Sequence, residues 1–277
     1  RFSVNDHIPP TWFWLDIILP HFSTAVDMWV IDRSAMLVFQ GRFAEAYPHS
    51  EAALAVANEM ASDPAQAAST LAMLGEIDLH LGRYAKARHN AEAGLARVQG
   101  GGHRWHIGHV LLCLGTAAMA EGAYVEAQRH LQESLDQFRR SQTQASVIWA
   151  HAALASVALL QDESSVSQAH LLEALSLLSE HRSFITALFA LPCVALLLAK
   201  RGQAERAAEV YALAERYPYV SNSRFWQDVV GKRVAAAAAS LSAEVVAAAQ
   251  ERGRARNLWA TVEELLGELE QMESESR

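Results

Sequence analysis

Apolar residues return every three to four positions over most of the chain, and the interruptions between these stretches are short. That period is helical. It predicts helix pairs at 22–40 and 44–61, 64–81 and 84–99, 104–121 and 124–140, 143–161 and 166–181, and 183–201 and 204–216. The last block differs. A helix over 222–240 begins Ser223-Arg224-Phe225-Trp226 and ends in five alanines. A second starts with Ser242 as N-cap and Glu244 in its first turn, and Gly253 interrupts it. Asn257 caps a final helix carrying Leu258, Trp259, Val262, Leu265, Leu266 and Leu269 at helical spacing. Residues 1–21 are aromatic and broken by Pro9, Pro10 and Pro20; they read as an N-terminal cap or the tail of a preceding repeat. Residues 22–217 then form the repeats, and 218–277 capping helices.

One local motif recurs: Gly, any residue, an aromatic, two residues, Ala. It stands at Gly41-Arg42-Phe43-Ala44-Glu45-Ala46, at Gly82-Arg83-Tyr84-Ala85-Lys86-Ala87 and at Gly122-Ala123-Tyr124-Val125-Glu126-Ala127. Gly202 to Ala207 is a copy without the aromatic, and Ser164–Ala169 fills the slot of a degenerate one. Leu74-Gly75 and Leu114-Gly115 extend the match upstream, each glycine seven residues before Gly82 or Gly122. The period is about 40 residues.

Each position has a physical role. A mid-helix glycine costs up to about 1 kcal/mol relative to Ala. Close approach of a second helix at Gly75 and Gly115 would offset that cost. Gly82 and Gly122 end the first helix, where a left-handed residue is wanted. Ala87 and Ala127 are small where two helices cross. A pair built this way cannot bury its apolar face alone, so pairs must stack.

The Leu-Gly, Gly, Tyr and Ala positions resemble the tetratricopeptide repeat, whose usual period is about 34 residues. The longer period looks like the superhelical region of the maltotriose-sensing bacterial transcription activator and its relatives. The resemblance implies an all-α, right-handed superhelical solenoid of about five helix pairs with a C-terminal helical cap.

Composition agrees. Ala (51) and Leu (33) dominate, with Gly 14, Pro 7 and Cys 2, so a collagenous, disulfide-framed or sheet protein is excluded. A net charge of −8 disfavours phosphate binding by the chain as a whole. Cys113 and Cys193 lie in apolar helical stretches and read as buried free thiols of a reducing cytosol. Residues 1–30 carry no secretory signal, and the longest apolar run, Phe184–Ala199, is too short to span a bilayer and reads as a buried helix. The expectation is a cytoplasmic protein without membrane contact. Because the chain begins with Arg1, it is expected to be a piece of a longer polypeptide.

Catalytic and cofactor signatures are missing from the sequence. Gly100-Gly101-Gly102 lacks the Gly-Lys-Ser/Thr ending of a phosphate loop. His103, His106, His109 and Cys113 fall at turn spacing, but no pair completes a four-ligand metal set. No Gly-x-Ser-x-Gly elbow occurs, and Cys113 is flanked by leucines that would keep its thiol protonated. Glu263-Glu264 reads as a solvated acidic face. Lys232-Arg233 with Arg252, Arg254 and Arg256 form a basic cluster that could touch phosphates, but the last helix carries Glu263, Glu264, Glu268 and Glu270, the wrong sign for reading a DNA groove. The expectation is a non-enzyme without cofactor, metal or nucleic-acid contact.

The inner face of the superhelix remains. Carried over position by position, the tetratricopeptide pattern gives Ser69, Ala72, Glu76 and Leu79 in the second repeat. It gives His109, Leu112, Thr116 and Met119 in the third, and His151 and Leu154 in the degraded fourth. This mixed lining suits a protein, peptide or small-molecule effector in the concave groove. The C-terminal run Val245 to Ala255, with its Glu-x-Gly-Arg knot, looks like the end of bacterial signal-transduction ATPases with numerous domains. That resemblance implies a sensor arm attached to a nucleotide-binding domain upstream in the same chain. The alternative is a stand-alone tetratricopeptide adaptor for protein–protein interaction.

Overall fold

The computed structural model describes residues 33–60, 64–98 and 103–275. The cap expected at 1–21, the part of the first expected helix at 22–32 and the triple glycine at 100–102 lie outside them. Among the described residues every regular element is a helix. We number them α1 (33–39), α2 (Phe43–Met60), α3 (Pro64–His80), α4 (Tyr84–Val98), α5 (Arg104–Ala120), α6 (Tyr124–Ser141), α7 (Gln144–Leu160), α8 (Ser164–His181), α9 (Phe184–Lys200) and α10 (Ala204–Glu215). Then follow the short α11 (Pro218–Ser221) and α12 (Arg224–Trp226), and a π-helical turn (Gln227–Gly231) leading into α13 (Lys232–Ala238). The chain ends with α14 (Ala243–Ala255) and α15 (Leu258–Glu275).

Helices α2 to α10 stack in succession, and α1 joins α2 through Ser34, whose hydroxyl donates to the Ala46 carbonyl at 3.2 Å. The turn between the helices of a pair uses a left-handed residue each time: Gly41, Gly82, Gly122, Asp162 and Gly202, all with φ between 63° and 84°. Asp162 takes the place of the glycine that the fourth repeat lacks. An aspartate tolerates this conformation better than most residues with a side chain. Gly75 and Gly115 are where helices touch. A Cβ on Gly115 would lie 2.5 Å from Leu131 Cγ, and one on Gly75 3.2 Å from the Ala87 carbonyl.

The first helices are buried along most of their length, and the second helices keep an exposed polar face. Helices α5, α7 and α9 are apolar on all sides and buried along almost their whole length. A helix apolar all round needs partners on every face. Helix α9, the long apolar run, has α7, α8, α10, the π-helical turn and α13 around it.

The C-terminal block does more than extend the stack. Helix α14 packs on α10, and α15 returns along α8. Gly253 does not interrupt α14; it is the point of closest approach, where a Cβ would lie 2.0 Å from the Glu209 carbonyl oxygen. The helix expected at 222–240 is divided by the π-helical turn. Glu263 and Glu264 are not merely solvated. Glu263 pairs with Arg182 at 2.7 Å, and Glu264 pairs with Arg206 at 2.7 Å and with Arg256. The buried carboxylate Glu209 holds Arg206, Arg252 and Arg256 together, so much of the basic cluster is neutralised within the fold.

Candidate functional site

Residues 217–228 cross back to the first two pairs. The Pro218 carbonyl packs against Gly41, where a Cβ would sit 2.2 Å from its oxygen, and Asn222 Nδ2 donates to the Gly41 carbonyl at 3.2 Å. The Arg224 stem lies over Gly82, and Tyr84 donates its hydroxyl to Asp228 at 2.7 Å. Tyr219, Phe225 and Trp226 are driven fully into the interior. Each such burial contributes roughly 1.5–3 kcal/mol. The aromatic of the repeat motif therefore has a second role in the first two pairs. Phe43 stacks on His80 at 4.3 Å and sits edge-on to Tyr219, while Tyr84 anchors Asp228.

A polar chain runs through this contact. The Ser223 hydroxyl caps its helix by accepting from the Trp226 backbone N–H at 3.2 Å. Its hydrogen is then free to donate to His80 Nδ1, 2.7 Å away. His80 Nε2 donates to the Tyr219 hydroxyl at 3.2 Å, and Tyr219 donates to Glu76 Oε1 at 3.3 Å. This assignment needs a neutral His80, and burial pushes its pKa down to about 4 despite the opposing pull of Glu76. Burial raises the Glu76 pKa, but His109, His80 and Tyr219 outweigh it and hold the carboxyl below its ordinary value. Tyr219 is raised well above its ordinary value by burial and then by the Glu76 charge.

The other oxygen of Glu76 faces His109 Nε2 at 3.7 Å. Beside them is a small cavity of about 20 Å3, lined by Glu76, Leu79, His109, Thr116, Trp149 and Phe189 among others. That is room for about one water. Among the described residues, His109 Nδ1 and Trp149 Nε1 are buried without a hydrogen-bond partner.

Three of the six sequence-predicted site residues thus converge: Glu76, His109 and Thr116, with Leu79 and Leu112 beside them. Thr116 donates to the Leu112 and Cys113 carbonyls of its own helix, so it can offer a ligand only an acceptor lone pair. The other three do not line this cavity. Ser69 is buried with its hydroxyl unpartnered among the described residues, and Met119 is buried in the core. His151 turns to the second helices, with Nδ1 3.0 Å from His170 Nδ1 and Nε2 3.4 Å from Arg139.

The residues that sequence reasoning missed were readable. His151 is two positions out of register. Forty residues after His109 stands Trp149, and forty after that Phe189; forty before it stands Ser69. Trp149 and Phe189 are the equivalents that line the cavity. Tyr219 and His80 carried no such signal, because their contact spans 139 positions outside the repeat period.

No helix among the described residues is long and apolar enough to cross a membrane. No group of three or more His, Cys, Asp or Glu among them could hold a metal ion. No protein-family model matches the chain, and no curated protein matches its sequence. Among solved structures it is similar to the crystal structure of a Rap protein complexed with competence and sporulation factor. The TM-score is 0.61 over 96% of this chain and 76% of that one, at 17% sequence identity. At that identity the likeness bears on architecture: the chain is an all-helical, tetratricopeptide-like repeat solenoid.

Proposed function

We propose that this chain is a non-catalytic sensor arm whose inner face, around Glu76, His109 and Thr116, binds a peptide or small-molecule effector. The observation that carries this reading is the Tyr219–Glu76 contact. It joins the inner face to a segment from the far end of the chain, so anything that engages Glu76 changes how residues 217–228 are held. The cavity beside Glu76 has no room for an effector as it stands. An effector therefore takes the place of Tyr219. Its recognition group is cationic or hydroxyl-rich, because it must satisfy a carboxylate that a phenol satisfies in the closed state. Withdrawing Tyr219 costs about 2–4 kcal/mol in lost burial and hydrogen bonding, and releasing Phe225 and Trp226 with it about 3–6 kcal/mol more. A ligand of micromolar observed affinity must supply that cost in addition to the about 8 kcal/mol that its binding shows.

The solved Rap protein structure is a complex with competence and sporulation factor, which supports ligand binding by this architecture. The C-terminal Glu-x-Gly-Arg knot supports placement in a signal-transduction ATPase with a nucleotide-binding domain upstream. There, release of 217–228 is the signal passed to the switch. A reading frame with a nucleotide-binding region upstream of Arg1 agrees with this context. A start codon immediately before Arg1 favours the adaptor.

The test is a peptide and metabolite screen by thermal shift, followed by affinity measurements. Glu76→Gln is expected to weaken a true effector at least tenfold, and Thr116→Ala to weaken it to a lesser extent. Val125→Ser, on the exposed outer face of α6, is expected to leave it unchanged. Loss with Val125→Ser and indifference to Glu76→Gln would move the working surface to the outside.

A further inference from the structure

We propose a second binding site, separate from the inner face, that takes an organic ammonium ion with an apolar body. Helices α13 and α14 are consecutive in the chain, yet each packs on α10 far more than on the other. The space between them is a cleft of about 690 Å3. That lies within the usual range for small-molecule sites. Its apolar surface comes from small side chains, Ala235 on α13 and Val246 and Ala247 on α14 among them. Along α10 it presents Tyr211 and, one turn on, Glu215.

The sign of the ligand follows from Glu215. The carboxylate is half-buried in the cleft and makes neither a hydrogen bond nor an ion pair within 4 Å among the described residues. Burial pushes its pKa up, and Arg254 acts on it only through space. The other charge at the cleft, Lys232, is already held by Asp228 at 2.6 Å. A half-buried carboxylate without a partner is poorly solvated, and an ammonium group beside it relieves that. An anion would be repelled, and a neutral group would leave the charge unpaired.

Tyr211 supplies the second recognition element. It lies on the same face of α10 as Glu215, and its hydroxyl donates to the Trp226 carbonyl at 3.3 Å. The backbone opposite is specialised to admit it. A Cβ on Gly231 would fall 2.8 Å from the Tyr211 hydroxyl, and Gly231 closes the π-helical turn that forms one edge of the cleft. Such turns occur often at functional sites. An aromatic ring next to a carboxylate is the pairing that holds ammonium groups.

The probe is 2-phenylethylamine, with 2-phenylethanol and phenylacetate as its neutral and anionic counterparts, each titrated into the intact chain by calorimetry and amide NMR. The amine is expected to bind at one site and shift amides of 208–215, 231–239 and 243–250. Glu215→Gln is expected to weaken the amine at least tenfold and to bring it level with the alcohol. Ala247→Phe, which fills the cleft from an exposed position, is expected to abolish binding with the thermal midpoint preserved. Equal binding of amine and alcohol to the unaltered chain overturns the proposal. So does the absence of amine binding at millimolar concentration. Sensitivity to Glu76→Gln in place of Glu215→Gln also overturns it, because the amine would then belong to the inner face.

Discussion

Tyr219 and Glu76 stand 143 positions apart in the chain, and the phenol of one donates to the carboxylate of the other at 3.3 Å. A repeat array needs contacts only between neighbours. This contact is of another kind. It ties the second helix pair to a segment that follows the fifth; His80 and then Ser223 extend it on the Tyr219 side, and His109 faces the other oxygen of Glu76.

Tyr219→Phe removes the donor to Glu76 and the acceptor for His80 while keeping the ring. A buried hydrogen-bonded group lost in this way costs about 1–3 kcal/mol. Urea unfolding should show that loss with an unchanged m-value. A change within about 0.5 kcal/mol, the range of ordinary surface substitutions, would mean that the polar chain contributes nothing to closure.

Stability should fall as pH drops through the histidine range. The folded pKa of His80 is about 4, against about 6.5 when unfolded. Above 6.5 the group is neutral in both states and stability is unaffected. Below it the unfolded chain takes up a proton that the folded chain refuses, so stability declines until about pH 4. The span corresponds to on the order of 3 kcal/mol. His151, also pushed down to about 4 by burial first and by His170 and Arg139 next, acts in the same direction. His80→Gln should flatten the slope of urea midpoint against pH between 6.5 and 4. An equal slope in both proteins would contradict a neutral, buried His80.

Glycine substitutions should rank by what the new Cβ meets. Gly253→Ala forces α14 off the Glu209 carbonyl, and backbone there cannot move aside. Gly115→Ala presses on Leu131, which is itself fully buried. Gly75→Ala meets only one tight contact, at 3.2 Å. Overpacking costs about 1–3 kcal/mol, and thermal midpoints should fall in the order Gly253, Gly115, Gly75. The reverse order would disprove the packing of α14 on α10.

Glu209→Leu should loosen the C-terminal helices more than the repeats. The residue is 6% exposed, and its carboxylate joins Arg206 of α10, Arg252 of α14 and Arg256 just after α14. Removing one partner of a buried ionic cluster costs on the order of 3 kcal/mol. Faster amide exchange in 243–275 than in 104–160 is the expected pattern, and uniform acceleration the contrary one.

The repeats were legible because each uses the same physical device at the same spacing. Gly82 and Gly122 announce a left-handed turn, and Leu74-Gly75 and Leu114-Gly115 announce close helix contact. The fourth repeat was obscured where Asp162 performs the turn without glycine, and that gap displaced the reading from Trp149 to His151. Glu76, His109 and Thr116 followed from the tetratricopeptide resemblance, and the three line one small cavity. Their partners Tyr219 and His80 meet through a long-range contact that no local spacing encodes. Gly253 shows the remaining difficulty. A glycine inside a helical pattern signals either a break or a close approach, and only the position of Glu209 decides between them.

The central claim is that residues 217–228 close the inner face as a segment able to open without unfolding the stack. Native-state hydrogen exchange, measured amide by amide at low denaturant, tests this without any effector. Amides of 217–228 should exchange together through a sub-global opening, at a lower free energy than those of α5 and α7, and Glu76→Gln should lower that opening further while leaving α5 and α7 unchanged. If the amides of 217–228 exchange only with global unfolding, the segment is fixed core and no effector enters by displacing Tyr219.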